Sequence, residues 1–144
     1  MFGKRVASHA CHTIICRDGR RELWQATTRL LHDELGEEPF VATVWGGALG
    51  LRIMGVKGAR GLFLRGTPPG VEEPRKFVVV NHLDCLAVSA YFGGIEPYSE
   101  QEIKVHTELL GQAVAILKEA FPAAQTGAYL LKSLNDFLPI ENAR

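Results

Sequence analysis

The sequence has no run of about 18 consecutive apolar residues, the length a helix needs to cross a bilayer, so no membrane span is expected. It has no excess of either charge, since 16 Lys and Arg balance 16 Asp and Glu. Without a basic field to hold phosphates, neither nucleic acid nor an acidic membrane is expected as a partner. The first residues, Met1-Phe2-Gly3-Lys4-Arg5, lack the apolar stretch of a secretory signal, which points to a cytoplasmic protein. Cysteine is scarce. Three thiols in a reducing compartment fit metal ligation or catalysis better than a disulfide framework. What is left is ordinary: 47% hydrophobic and 22% charged residues over 144 positions describe one globular domain, 1–144. A chain of that length buries about 68–70% of the surface it exposes when unfolded.

Along the chain, residues 6–11 give no clear pattern. Residues 12–15 read as a short buried strand that ends at Cys16. From about Arg20 to Leu35, Leu23, Thr27, Leu30, Leu31 and Leu35 recur at helical spacing, and Gly36 is placed to stop the helix. Residues 40–45 are a second strand, with Trp45 assigned to the core or an interface. Residues 46–75 are rich in glycine and proline, which argues against one long helix. A short helix near 48–54 fits there, and so does a hairpin of 51–56 with 61–64. Residues 76–81, with four consecutive apolar side chains, read as a strand buried on both faces. His82 begins the turn out of it, and a short helix is predicted over 83–92.

Ser99-Glu100-Gln101-Glu102 is a capping box: Ser99 caps the Glu102 amide, and the Glu102 side chain reaches back. The helix it opens carries Ile103, His106, Leu110, Val114, Leu117 and Phe121 on one stripe, and Pro122 ends it. Residues 128–131 are a fourth strand, and the tail after Lys132 gives no signal. The order β-α-β, crossover, β-α-β predicts an α/β domain whose central, mostly parallel sheet of about four strands has helices on both faces.

Two short stretches carry the chemistry, and each stands where a strand stops. Cys16-Arg17-Asp18-Gly19-Arg20 follows the first strand, and His82-Leu83-Asp84-Cys85 follows the third. Two thiols and an imidazole make a three-ligand metal set, and Cys₂His with a vacant fourth position is the pattern of catalytic zinc. Open α/β sheets place their sites at strand carboxyl ends. With His82 and Cys85 three apart, a first helical turn would point both the same way. Cys16 must then come from a neighbouring strand. Asp18 is close enough to accept a hydrogen bond from a zinc-bound hydroxide or to ligate zinc itself, and Arg20 could hold the carboxylate off the metal as a bidentate pair. Cys11 is expected to be a buried bystander. His9, His12 and His32 are assigned to surface or packing, and His106 to the core.

In order and placement, Cys-x-Asp-x-Arg and His-x-x-Cys resemble the two signatures of the β-class carbonic anhydrases, here Cys16-Arg17-Asp18-Gly19-Arg20 and His82-Leu83-Asp84-Cys85. Phe77 through Cys85 looks like that family's passage from strand to site, and the resemblance covers about residues 12–131. Two places differ: Leu86 stands where the family has glycine, and Val44-Trp45-Gly46-Gly47-Ala48 replaces an Arg-Asn-Ala-Gly-like segment. The resemblance implies that Cys16, His82 and Cys85 bind Zn2+ and that Asp18 and Arg20 form the catalytic dyad. It implies a zinc lyase that hydrates carbon dioxide reversibly to bicarbonate through a zinc-bound hydroxide, in a homodimer or higher homo-oligomer. Two other readings stay open: a zinc hydrolase of carbonyl sulfide or carbon disulfide, and a zinc-binding regulatory protein without turnover in which Asp18 closes the fourth position.

Overall fold

The computed structural model describes residues 11–18, 20–36, 39–65 and 73–140. The ends of the 1–144 span, His9, Gly19 and most of the undecided 6–11 stretch lie outside the described residues. The elements run β1 (Cys11–Cys16), α1 (Arg21–Arg29), β2 (Pro39–Val44), α2 (Ala48–Leu64), β3 (Lys76–His82), α3 (Leu86–Tyr91), α4 (Glu100–Ala120), β4 (Gln125–Ser133) and β5 (Asp136–Pro139). The sheet order is β2-β1-β3-β4-β5, with the first four strands parallel and β5 antiparallel to β4. This is the expected α/β architecture with a fifth strand. The addition, β5, comes from the tail that carried no sequence signal. No described helix is long and apolar enough to cross a membrane.

Alternating residues of each strand supply two cores. On one face Ile14, Phe77, Val79, Ala128 and Leu130 pack with Leu51 of α2 and Leu110, Val114 and Leu117 of α4. On the other Ile15, Val78, Val80 and Leu131 pack with Ala26 of α1 and with Leu30 and Leu31 just beyond it. Burying each large aliphatic or aromatic side chain is worth about 1.5–3 kcal/mol. An exposed ion pair is worth about 0–1 kcal/mol, so these layers hold the sheet and the surface pairs do not.

The helices depart from the sequence reading in three places. After Arg29 the first helix widens into a π-turn over Leu30–Glu34, where the Leu35 amide donates to the Leu30 carbonyl. The helix predicted over 83–92 starts three residues later, because Asp84 takes a left-handed φ of 57° and Cys85 is extended. Of the two alternatives for the glycine-rich region, the helix near 48–54 forms and the hairpin does not. The chain breaks at Gly55 (φ 70°, ψ −171°) and then resumes helix to Leu64.

That Gly55 backbone is open to glycine almost alone. A Cβ there would meet nothing within 4 Å, so its cost is purely conformational. In contrast, Gly111 sits inside α4, again with nothing within 4 Å of an added Cβ. Gly55→Ala is expected to destabilise by about 1–3 kcal/mol. Gly111→Ala should stabilise by about 0.5–1 kcal/mol. Urea unfolding measures both, and a neutral Gly55→Ala would contradict the break.

Candidate metal centre

β1 and β3 are parallel neighbours, with Ile15 opposite Val80, and both run toward the same edge of the sheet. Because β1 pairs with β2 on one side and β3 on the other, this edge is the point where strand order reverses, the usual site position in open α/β sheets. Cys16 closes β1 and His82 closes β3. Contrary to expectation, His82 and Cys85 do not share a helical turn. His82 is still in the strand, paired with Leu131, and the left-handed Asp84 folds the chain back so that Cys85 faces it.

Cys16, His82 and Cys85 are all buried, and one ligand atom from each lies within 4.8 Å of the others. The Cys16 and Cys85 sulfurs are 3.7 Å apart and both thiols are free. A disulfide needs about 2.05 Å. Two Zn–S bonds of about 2.3 Å at the tetrahedral angle put their sulfurs about 3.8 Å apart, so the spacing fits a metal. Nδ1 of His82 donates to the Leu83 carbonyl at 2.8 Å, which leaves the lone pair on Nε2. That buried Nε2 has no hydrogen-bond partner. A buried polar atom without a partner is costly, and a cation is the partner this one fits.

The electrostatics concentrate negative charge on the sulfur pair. The Cys85 thiol is pulled down by the hydrogen bond from Cys16, against burial and with help from His82. Cys16 is pushed up by the same bond and by burial, so the pair keeps one proton that a soft cation would displace. Burial lowers His82, but the Cys85 sulfur, the Leu83 carbonyl and Asp18 together leave it raised. The group therefore gathers negative charge around a ring nitrogen.

Beside it, Arg20 grips Asp18 as the sequence suggested. Nε donates to Oδ1 at 3.0 Å and Nη2 to Oδ2 at 2.9 Å, while the Arg20 amide adds a bond to Oδ1 at 2.8 Å. These bonds hold the Asp18 carboxyl below its usual range despite partial burial. Arg20 also reaches across to the second loop, where Nη2 donates to the Asp84 carbonyl at 2.9 Å and Nη1 to Asp84 Oδ2 at 3.3 Å. Oδ2 of Asp18 stands 3.7 Å from His82 Nε2. A cavity of about 40 Å³ opens on Cys16, Asp18 and His82, and its walls include Ile15, Leu23, Trp24, Val80 and Leu131.

Asn81, Gly47 and Glu102 have roles beside the site that their sequence context does not show. Asn81 Oδ1 accepts the Ala48 amide at 3.0 Å, so its amide group donates to Nδ1 of the fully buried His106 at 2.9 Å. Gly47 permits that contact: an added Cβ would lie 2.5 Å from Asn81 Oδ1. The third is Glu102, whose carboxylate binds the loop of Cys85. Asn and Glu beside a strand end or helix start are too common to stand out alone. His106 is core, as expected, and Cys11 is buried away from the metal group.

Purified protein should bind about one zinc per chain by elemental analysis, and Cys16→Ser should lose it while Cys11→Ala keeps it. Equal loss in both variants would contradict the ligand set. Compared with protein-family models, with curated proteins and with solved structures, the chain matches none.

Proposed function

We propose that the protein is a zinc-dependent lyase that hydrates carbon dioxide reversibly, as its resemblance to the β-class carbonic anhydrases implies. The observation that carries this reading is the juxtaposition of the Cys16-His82-Cys85 group with an Asp18 carboxylate fixed in the Arg20 fork. A zinc ion held there would make a water at its remaining position acidic enough to supply hydroxide near neutral pH.

The chain's own groups do the rest. Leu83 holds the His82 ring by Nδ1, so Nε2 keeps its lone pair toward the two sulfurs. Arg20 occupies one face of the Asp18 carboxylate and keeps it ionised. Oδ2 of Asp18 can then accept a hydrogen bond from a water or hydroxide in the site and turn its lone pair toward the substrate carbon. Being held by three bonds, Asp18 is also restrained from moving onto the metal. The small cavity, with apolar side chains on most of its wall, suits a neutral linear molecule of three heavy atoms and excludes bulky substrates. Self-association belongs to the same proposal. Trp45, placed in the core or an interface by its sequence, is 62% exposed, and Leu86 is 77% exposed. A cytoplasmic location, which keeps the thiols reduced, completes it.

Stopped-flow carbon dioxide hydration by zinc-loaded protein tests the reading. Arg20→Ala should lower kcat about 10–100-fold, because it frees the Asp18 carboxylate. Unchanged rates from about pH 6 to about pH 9 would remove the pair from the mechanism. Turnover of carbonyl sulfide or carbon disulfide without hydration of carbon dioxide would transfer the site to the hydrolase reading. A zinc-loaded protein inert toward all three would be a binding protein.

A further inference from the structure

We propose that Glu102 is a positioning residue for the metal group, acting through the backbone turn that carries Cys85. The proposal rests on the metal reading above. In the sequence Glu102 is the second half of a capping box, and half of that box forms: Ser99 Oγ accepts the Glu102 amide at 3.1 Å. The carboxylate does something else. Its Oε2 accepts the amides of Asp84 at 2.8 Å and Cys85 at 3.4 Å, and its Oε1 accepts those of Tyr98 at 2.8 Å and Asp84 at 3.0 Å. The residue is 2% exposed.

Asp84 (φ 57°) and Tyr98 (φ 61°) are the non-glycine residues with a left-handed backbone among the described residues. A single carboxylate binds the amides of both. Such conformations persist where the surroundings over-determine them, and a buried carboxylate persists where its lone pairs are filled. Each condition satisfies the other here. Asp84 is the residue that folds the chain back between His82 and Cys85, so its φ sets the direction from which the Cys85 sulfur meets Cys16 and His82. Glu102 therefore fixes one ligand's approach from outside the ligand set. Arg20 braces the same turn through the Asp84 carbonyl.

Cobalt(II) binding to the full chain tests this, with affinity read by chelator competition and geometry by the visible absorption of the thiolate-bound ion. Glu102→Gln keeps the side chain's size but sets an amide donor among backbone donors. It should weaken cobalt about 10–100-fold, as loss of partners around a ligand shell does, and shift the absorption bands. Ser99→Ala weakens the same helix end without touching the turn. It should lower the melting temperature and leave cobalt affinity and spectrum unchanged.

If Glu102→Gln folds poorly, the double variant with Asp84→Gly should recover several-fold of the lost affinity, because glycine takes the left-handed backbone without strain. The assignment is overturned if Glu102→Gln binds cobalt like the wild type with the same spectrum. It is also overturned if Ser99→Ala loses as much affinity, or if the glycine recovers none. A folded wild type that takes up no cobalt would overturn the metal reading itself, before any variant is compared.

Discussion

Parallel pairing of β1 with β3 is the constraint on which the site depends. Ile15 opposite Val80 puts the ends of two strands, 66 positions apart in the numbering from Cys16 to His82, side by side at the reversal of strand order. The pairing is held from both faces by the apolar layers, not by anything in the site. Phe77, Val79 and Ile14 on one side, with Val78, Val80 and Ile15 on the other, leave the strands little freedom to slip. A slip of one residue would send every side chain to the opposite face. Cys16 would then leave the group. The apolar core thus sets the metal spacing, and the polar residues refine it.

The refinement comes from two braces on the turn after β3. Arg20 ties Asp18, in the loop after β1, to Asp84 in the loop after β3. Glu102 ties that same loop to the start of α4. Neither brace would contribute much on an open surface, where an ion pair is worth about 0–1 kcal/mol. The weight of the Glu102 brace comes from its burial and from the backbone amides it satisfies, because a buried polar group without a partner costs about 1–3 kcal/mol. Arg20, with 36% of its side chain exposed, acts instead through its fork on Asp18 and its bond to the Asp84 carbonyl. The Asn81–His106 contact serves in the same way under the N-terminus of α2. Polar side chains surround the group on several sides, while the cavity that reaches it is walled largely by apolar ones.

Much of this was legible in the sequence because the chemistry is local. The two thiols, the ring, Asp18 and Arg20 occupy two short stretches at the ends of apolar runs, and the structure brings the three proposed ligands together. The long stripe of α4 was legible for the same reason, and His106 and Leu110 are fully buried on it. Four features were not legible. The helix over 56–64 follows a glycine break, which in sequence has the same look as a hairpin turn. β5 is an edge strand, half exposed, so it lacks the apolar run that marks β3. Glu102 was masked by its own motif: the capping box explains a glutamate at that position, whereas its carboxylate serves the backbone 18 residues earlier. Asp84 hid the turn for a related reason, since nothing in His82-Leu83-Asp84-Cys85 announces a left-handed residue.

The most direct test is X-ray absorption at the zinc edge of the zinc-loaded protein, which reads the donor atoms around the ion without reference to turnover. Two sulfurs at about 2.3 Å, one imidazole nitrogen at about 2.0–2.1 Å and one further light atom are expected. A shell without sulfur, or one of three or four sulfurs, would contradict the proposed ligand set.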